Sequence, residues 1–437
     1  MTDPSIVIPD NGYPQVLPTA SGEPMTIVID ATAESSFQRL WGLTLIERTV
    51  RLVERLGARS IHIFVRAADE DRARRRKLSG PSAPIVHTAE TVVGEELDRL
   101  IGEAPGAVLL LEGHAVYDRR FVGLMWQQCA PSVGVRNDNQ PLEALALLVN
   151  AGSVSILGNL ADGNGNERAS AILASGSVRK VEMESLDHRI AHLRKSVAPD
   201  VIRVDDKTSR KRADDYLKSL SGKGINDLVG EFIHPPIEFF LTRLAARSPV
   251  TPDQISYLII ILSIAAIPLF ALGRLWEGIA INLVRGVVDG VDGKLARLTL
   301  RESEGGNVLD HGTDTAYLPL LFAAFGYYLA NGDWLSSAAI SSYLLHFFYW
   351  HNRMFTSWYR NFFDEADGEF RASDRIVRRF HPKRNIFILM LIIAMAAGRP
   401  ELALYGITGL TMFMHFFRIT RVDQEGRRLK RERDSAR

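Results

Sequence analysis

The chain has 437 residues, a formal net charge of +1, and 46% hydrophobic against 24% charged residues. This length allows two or three domains. The single cysteine, Cys129, excludes a disulfide framework and a cysteine-based metal site, and we expect it to be a small buried residue. No nucleic-acid partner is expected.

Composition changes along the chain. Residues 1–24 are rich in Pro, Gly and polar side chains and predict a loose arm. Residues 25–205 alternate strand and helix patterns, which predicts a Rossmann-like α/β domain with a parallel sheet and crossover helices. No signal-peptide pattern precedes it, so we expect this domain to be cytoplasmic. The clearest predicted elements are strands over 25–30, 60–65 and 106–113 and a helix over 43–57 that ends at Gly57.

Residues 206–250 predict a connector between two unlike halves. A charged helix comes first, and an amphipathic stretch with Pro235 and Pro236 at its break or start follows. Its apolar side chains face arginines, a pattern typical of a helix lying in a membrane interface. Those apolar residues are Phe232, Ile233, Ile237, Phe239, Phe240 and Leu244.

Residues 251–420 predict an all-α membrane domain with six transmembrane helices, entered through Thr251 as N-cap and Pro252 in the first turn. Basic residues fall on alternate connections, including a long loop over 353–384 and the tail over 421–437. This pattern predicts a multi-pass protein of the cell membrane with both termini in the cytoplasm. The six apolar segments are 254–272, 275–295, 308–330, 334–352, 385–398 and 402–417.

Four carboxylates stand at the inner ends of two of these segments. Asp289 and Asp292 are three residues apart, and Asp310 and Asp314 are four apart, so each pair shares one face of a helix. Facing one another, they would form an oxygen-rich cage suited to one or two hard divalent cations. The alternative is a set of helix-capping aspartates. Arg285, one turn before Asp289, is expected to snorkel or to pair with an acidic neighbour.

The motif D-x2-D-G-x2-A-R-x8-G-x3-D-x3-D, running from Asp289 to Asp314, resembles the signature of the CDP-alcohol phosphatidyltransferase family at every fixed position. The resemblance implies that a CDP-linked donor is attacked by an alcohol and that CMP leaves. It also implies Mg²⁺ or Mn²⁺ as cofactor and a homodimer. The metal ligands would be Asp289, Asp292, Asp310 and Asp314, with Asp314 also the general base, and the CDP-binding residues would be Asp289, Gly293, Ala296, Arg297 and Gly306.

An acceptor site is predicted from the segment HPKRN over 381–385, which resembles the basic segment of relatives that use a phosphorylated polyol. Lys383 and Arg384, near Arg353 or Arg360, would bind an acceptor phosphate. The general excess of Lys and Arg in cytoplasmic loops of membrane proteins explains the same residues equally well.

The N-terminal domain resembles a sugar-nucleotidyltransferase domain whose catalytic features are eroded. The stretch DATAESSFQRLWG stands where that family has a glycine-rich phosphate loop, and only Arg39 remains there as a cation. His114 follows Gly113 where the family has aspartate, and Asp205 keeps one acidic position. We therefore expect an inactive, structural or regulatory domain, with residual activity through a divergent loop as the alternative.

The whole arrangement resembles the bifunctional inositol-1-phosphate cytidylyltransferase/di-myo-inositol-phosphate-phosphate synthases. The leading interpretation is a CDP-alcohol phosphotransferase of phospholipid synthesis, phosphatidylinositol-phosphate-like, using CDP-diacylglycerol or a CDP-polyol and an alcohol or phosphorylated alcohol at the bilayer. One alternative is a still bifunctional enzyme that makes a soluble polyol phosphodiester. Another is a non-catalytic membrane scaffold that recruits a cytidylyltransferase.

Overall fold

The structure is a computed structural model that forms two compact units. The first contains residues 1–222, 246–248 and 295–303, and the second contains residues 223–245, 249–294 and 304–437. A short stretch from the middle of the carboxylate motif therefore belongs to the first unit. The residues described are 17, 19–20, 22–75, 84–90, 92, 95–136, 143–152, 178–193, 195–224, 234–363, 377 and 381–435.

The first unit is built on a mixed sheet of seven strands in the order β10-β8-β9-β6-β1-β4-β5. Short two-stranded pairs lie beside it. The strands are β1 Thr26–Asp30, β2 Arg39–Leu40, β3 Leu43–Thr44, β4 Ser60–Val65, β5 Ile85–Thr88, β6 Val108–Glu112, β7 Ala115–Tyr117, β8 Ser132–Arg136, β9 Glu143–Val149, β10 Arg179–Glu182, β11 Arg189–Ile190, β12 Lys195–Ser196 and β13 Val201–Arg203.

The α/β class is confirmed, but the prediction of a parallel sheet is wrong for one strand. β1 pairs in parallel with β4 and β6, whereas β9 runs antiparallel to both β6 and β8. The reason lies in the connection: only residues 137–142 separate β8 from β9. A parallel neighbour needs a crossover connection of roughly a dozen residues or more. Because this connection is shorter, β9 runs antiparallel to β8.

The first unit also contains five described α-helices. They are α1 Leu45–Leu56, α2 Glu70–Arg75, α3 Glu95–Glu103, α4 Arg119–Trp126 and α5 Lys207–Ser221, with short 3₁₀ turns at Glu34–Phe37, Ala67–Asp69, Met183–Ser185 and Ala191–Leu193.

α1 illustrates how local sequence defines an element. It starts at a capping box, in which the Thr44 hydroxyl accepts from the backbone N–H of Glu47 and the Glu47 carboxylate accepts from that of Thr44. It ends at Gly57, which adopts the left-handed conformation with φ +105°. Its apolar side, including Val53 and Leu56, is fully buried against the sheet.

The second unit is helical, and each of the six predicted segments coincides with a helix. Its helices are α6 His234–Ala246, α7 Pro252–Ala271, α8 Leu275–Leu298, α9 Glu304–Ala330, α10 Ser337–Phe363, α11 Arg384–Ala396 and α12 Glu401–Ser435. The last turn of α8 belongs to the first unit. Aromatic rings fill the core, with Phe322 and Phe387 edge to face at 5.1 Å and Phe270 and Phe325 at 5.9 Å between centroids.

Within the described residues, two helices are both long and apolar enough to cross a membrane, over Pro252–Ala271 and Glu401–Arg428. Helix α11, over Arg384–Ala396, is apolar but shorter. The prediction of a basic loop over 353–384 is wrong for residues 353–363, because α10 continues to Phe363.

Two expectations concern single positions. Cys129 is exposed, so its predicted burial is wrong. It lies just beyond α4, and its carbonyl oxygen accepts the Ser132 hydroxyl while the thiol stays outside the core. Pro235 and Pro236 start helix α6, whose Ile237, Phe240 and Leu244 are about half exposed or more, while Phe232 and Ile233 lie outside the described residues.

Candidate active site

Helix α8 carries two of the predicted carboxylates, and helix α7 supports one of them. Asp292 is 7% exposed and accepts a 2.9 Å hydrogen bond from the Ser256 hydroxyl. Ser256 lies in the second turn of α7, which is positioned by Thr251 as N-cap and Pro252. Asp289 lies one turn earlier on α8 and is partly buried. Their three-residue spacing brings both carboxylates to one side of the helix.

Arg285 joins α8 to the neighbouring helices. Its side chain is fully buried, its Nε donates to the Ser263 hydroxyl at 2.6 Å, and its Nη2 lies 2.8 Å from Asp314 Oδ1. The guanidinium lies over the ring of Tyr317 at 4.4 Å. The predicted acidic neighbour of Arg285 is thereby identified as Asp314, which is about half exposed. Arg285 holds one oxygen of this carboxylate and leaves the other side towards solvent.

Basic residues predicted for the acceptor lie on two other helices. Arg384 opens α11, with Lys383 as its N-cap, and its Nη2 is 3.5 Å from Asp289 Oδ2. Arg353 on α10 donates to the Thr315 hydroxyl, one residue after Asp314. Arg384 therefore contacts a carboxylate of the motif, and Arg353 contacts the residue that follows another one.

A small cavity of about 10 Å³ lies among these residues. Such a volume holds about one water or one small ion. Its lining includes the carboxylate oxygens of Asp289 and Asp292, a donor type that Mg²⁺ and Mn²⁺ prefer. Among the residues that the structure describes, no group of three or more His, Cys, Asp or Glu side chains is placed to hold a metal ion. The lining residues are Ser256, Ile259, Arg285, Asp289, Asp292, Leu309 and Thr313.

A buried ionic cluster behind α8 was not predicted. Lys294, 9% exposed, pairs with Glu238 of α6, and His234 Nδ1 lies 3.6 Å from the same carboxylate. The Glu238 carboxylate packs on the backbone of Gly290, where an added Cβ would lie 2.0 Å from it. The sequence offered two signals for this cluster. Glu238 and His234 interrupt a largely apolar stretch, and Lys294 lies between the fixed positions of the motif.

The other predicted residues are divided between the units. Gly293 lies in the second unit beside Asp292, and Gly306 lies in the first turn of α9. Ala296 and Arg297 lie in the first unit, where Arg297 Nε donates to the carbonyl oxygen of Ser221. Asp310 lies in α9, and its side chain is outside the described residues.

The segment 295–303 is bound to α1 by a row of arginines. Arg48 Nη2 donates to the Leu298 carbonyl at 2.7 Å and Arg51 Nη1 to that of Thr299 at 2.8 Å. Arg55 donates to the Leu300 carbonyl at 3.1 Å. Leu300 has a left-handed φ of +52°, a strained conformation for a leucine that ends α8 as a glycine usually would.

Burial governs the ionisation of this row. Burial, and then the charge of Arg51, lowers the pKa of Arg48 to about 10. Arg55 forms an ion pair with Glu302 at 3.0 Å. Burial nevertheless raises the pKa of Glu302 above its ordinary value, with Arg55 opposing the shift.

At the predicted nucleotidyltransferase site, charges are internally paired. Arg203 binds Glu112, with Nη2 at 2.8 Å from Oε1, and also contacts Glu143. His114 Nε2 lies 3.6 Å from Asp205 and 3.8 Å from Glu112, so the histidine at the altered turn has acidic neighbours. Arg39 is exposed in β2. These contacts explain how the turn tolerates histidine.

The chain thus combines a mixed α/β unit with a helical unit that carries Asp289, Asp292, Asp310 and Asp314. Residues 249–417 match the family model described as CDP-alcohol phosphatidyltransferase. This region includes the motif over 289–314 that predicted the family, and it amounts to less than half of the chain.

One curated relative from Rubrobacter xylanophilus is named bifunctional IPC transferase and DIPP synthase. It is 29% identical over 136 residues, which amount to 31% of this chain and 31% of the relative. The match thus covers well under two thirds of that protein.

Two solved structures each overlap less than half of the chain. The inositol-1-phosphate CTP transferase from T. maritima gives a TM-score of 0.34 at 8% identity, covering 44% of this chain and 95% of its own. The phosphatidylinositol phosphate synthase of Mycobacterium tuberculosis with CDP-DAG bound gives 0.34 at 17% identity, covering 43% and 92%.

Proposed function

We propose that this protein is an integral-membrane, metal-dependent CDP-alcohol phosphotransferase that joins an alcohol to the phosphoryl group of a CDP-linked donor and releases CMP. The observation that carries the proposal is the small cavity where Asp289 and Asp292 of α8 meet Arg285, which also holds Asp314 of α9. Three fixed positions of the family motif, Asp289, Asp292 and Asp314, take part in this arrangement.

The chain's own residues divide the work of the reaction. Ser256 fixes one oxygen of Asp292, and Arg285 fixes one oxygen of Asp314. The half-exposed Asp314 is placed to accept the proton of the attacking hydroxyl as general base. The hydroxyl oxygen bonds to the β-phosphorus, the bond from that phosphorus to the bridging oxygen breaks, and CMP leaves with the bonding electrons.

A divalent cation, Mg²⁺ or Mn²⁺, would be held by Asp289 and Asp292 with Asp310 and Asp314, and when bound it supplies charge neutralisation for the diphosphate and the leaving CMP. Gly293, Ala296, Arg297 and Gly306 are proposed to contact the CDP moiety.

The acceptor side of the proposal rests on charge. Arg384 lies next to Asp289, and Lys383 and Arg353 lie on the flanking elements. Guanidinium groups suit a phosphorylated acceptor, since they bind phosphate oxygens in a bidentate manner. A phosphorylated polyol such as an inositol phosphate, with CDP-diacylglycerol as donor, is therefore the preferred substrate pair in phospholipid synthesis.

Membrane insertion is supported by apolar side chains that the second unit leaves exposed. Ile261, Ile264 and Ile393 are each more than 60% exposed, and so is Phe240 of α6. Apolar surface of this extent is typical of contact with lipid or another protein. We propose six spans with both termini and the carboxylates on the cytoplasmic side and a homodimeric assembly.

The test is CMP release by purified protein with Mg²⁺ or Mn²⁺, CDP-diacylglycerol or a CDP-polyol, and candidate acceptors. Asp310→Asn and Asp289→Asn should abolish release. Asp333→Asn, an exposed aspartate in the turn between α9 and α10, is the matched control and should retain it. Release unchanged in Asp310→Asn would refute the mechanism, and no release by wild type with any pair would favour the scaffold alternative.

The bifunctional alternative has its own test. The first unit should release no pyrophosphate from CTP and inositol phosphate, since its phosphate loop is replaced and Arg203 occupies Glu112 and Glu143. Clear CTP-dependent pyrophosphate release would instead support a chain that makes its own CDP-polyol.

A further inference from the structure

The first unit contains a cavity of about 120 Å³, and of its lining residues only Arg297 has a part in the chemistry proposed above. Its walls come from α1, from the start of α4, from the end of α5 and from the segment 295–303. Five arginines line it: Arg48, Arg55, Arg119, Arg120 and Arg297.

Two carboxylates also line this arginine cavity, and both already have arginine partners. Asp118 accepts from Arg120 at 2.7 Å, and Glu302 pairs with Arg55 at 3.0 Å. Among the residues that line the cavity, five guanidinium groups stand against two carboxylates, an excess of three formal positive charges. A desolvated excess of positive charge is costly, and a bound anion would relieve it.

Arg48 shows that the excess is buried rather than spread over the surface. The residue is 4% exposed, and its Nε is buried with no hydrogen-bond partner among the described residues. Burial, and then the nearby charge of Arg51, lowers the pKa of Arg48 to about 10. Guanidinium groups recognise planar or tetrahedral oxyanions in a bidentate manner.

The rest of the wall is apolar. Leu52, Leu193 and Leu220 lie between the arginines, so a fully hydrated inorganic anion would match only part of the lining. A ligand with one dianionic end and a compact apolar body would match both parts. An excess of three charges favours a dianion over a carboxylate.

We propose that the arginine cavity binds a small phosphate monoester, with the phosphate against the guanidinium groups and the organic part against the leucines. It is separate from the predicted nucleotidyltransferase site, because Asp30, Arg39, Glu112, His114 and Asp205 do not line it. The proposal does not depend on phosphotransfer by the second unit.

The experiment uses the purified full-length chain and isothermal titration calorimetry with three probes. Phenyl phosphate should bind, inorganic phosphate should bind more weakly, and phenol should not bind. Arg119→Gln should weaken phenyl phosphate binding by about tenfold or more, because one guanidinium is lost. Leu220→Trp should abolish it by filling the cavity while leaving every charge in place.

Arg179→Gln is the matched control, because Arg179 is an exposed arginine of the same unit in β10. It should bind the probe as wild type does, and thermal unfolding establishes that each variant is folded. Arg119→Gln and Leu220→Trp change different helices, so if one variant fails to fold, phenyl phosphate binding by the other still tests the proposal. Absence of phenyl phosphate binding, or binding unchanged in the folded test variants, overturns the proposal.

Discussion

At the scale of single residues, the contact between Arg285 and Asp314 is asymmetric. Arg285 is fully buried, whereas the Asp314 side chain is 53% exposed. Removing either partner breaks the same ion pair, but it leaves very different groups behind. A stranded carboxylate can be hydrated here, and a stranded guanidinium cannot.

We therefore expect Asp314→Asn to lower the free energy of unfolding by about 1–3 kcal/mol, and Arg285→Met to lower it by less. Chemical denaturation in a fixed detergent measures both, and Asp333→Asn serves as the control for losing an exposed carboxylate. A larger loss for Arg285→Met would show that packing of the guanidinium, not its charge, dominates.

Glu302 makes the stability of the first unit depend on pH. Its pKa is raised by burial in the folded chain, with Arg55 opposing the shift, so the folded state binds the proton more tightly than the unfolded state. Stability must then fall as pH rises from the ordinary value of 4.5 through the folded pKa, and stay level above it.

Relative to Glu302→Gln, the wild type should lose stability as pH is raised from about 4 towards 7. Thermal unfolding across this range measures the difference. Glu103→Gln, at an exposed position in α3, should track the wild type at every pH. A wild type that gains stability relative to Glu302→Gln as pH rises would contradict the assigned direction.

At the scale of elements, the close approach of α6 to α8 depends on one glycine. Gly290 leaves room for the buried Glu238 carboxylate, which is held between Lys294 and His234. The carboxylate cannot easily move aside, because its ion pair with Lys294 is buried. The contact lies directly beside Asp289 on α8.

Gly290→Ala should therefore destabilise the second unit by about 1–3 kcal/mol through overpacking. Gly409→Ala in α12 meets nothing within 4 Å and should be neutral or slightly stabilising, since alanine favours helix. Thermal unfolding of both variants is the measurement. Equal melting of the two variants would mean that Glu238 can rearrange at little cost.

At the scale of the whole molecule, the first unit is assembled from three stretches of the chain. The segment 295–303 supplies carbonyl acceptors to Arg48, Arg51 and Arg55 of α1. Without it, these buried or partly buried guanidinium groups lose charge-assisted hydrogen bonds of about 1.5–3 kcal/mol each.

A fragment of residues 1–222 should thus unfold at a lower temperature than the same fragment fused through a flexible linker to residues 295–303. A fusion carrying a scrambled version of the segment is the control and should behave like the bare fragment. If the authentic fusion melts no higher than the scrambled one, the arginine row does not stabilise this unit.

Sequence reasoning succeeded where a local pattern has one structural consequence. The helical periodicity over 43–57 and the glycine at position 57 predicted α1, and the apolar runs predicted the helices of the second unit. The motif spacing predicted the family whose model residues 249–417 match. It failed for the antiparallel β9 and for exposed Cys129, because a strand's direction and a side chain's burial depend on what packs beside them.

The sequence by itself determined the α/β and helical classes of the two halves and the face-sharing pairs of carboxylates, because helix period and residue spacing are local properties. Only the tertiary structure decided the partners of those charges: Ser256 for Asp292, Arg285 for Asp314, and the arginine row for the segment after α8. Such pairings join residues far apart in the chain, where burial and distance, rather than spacing, select the contact.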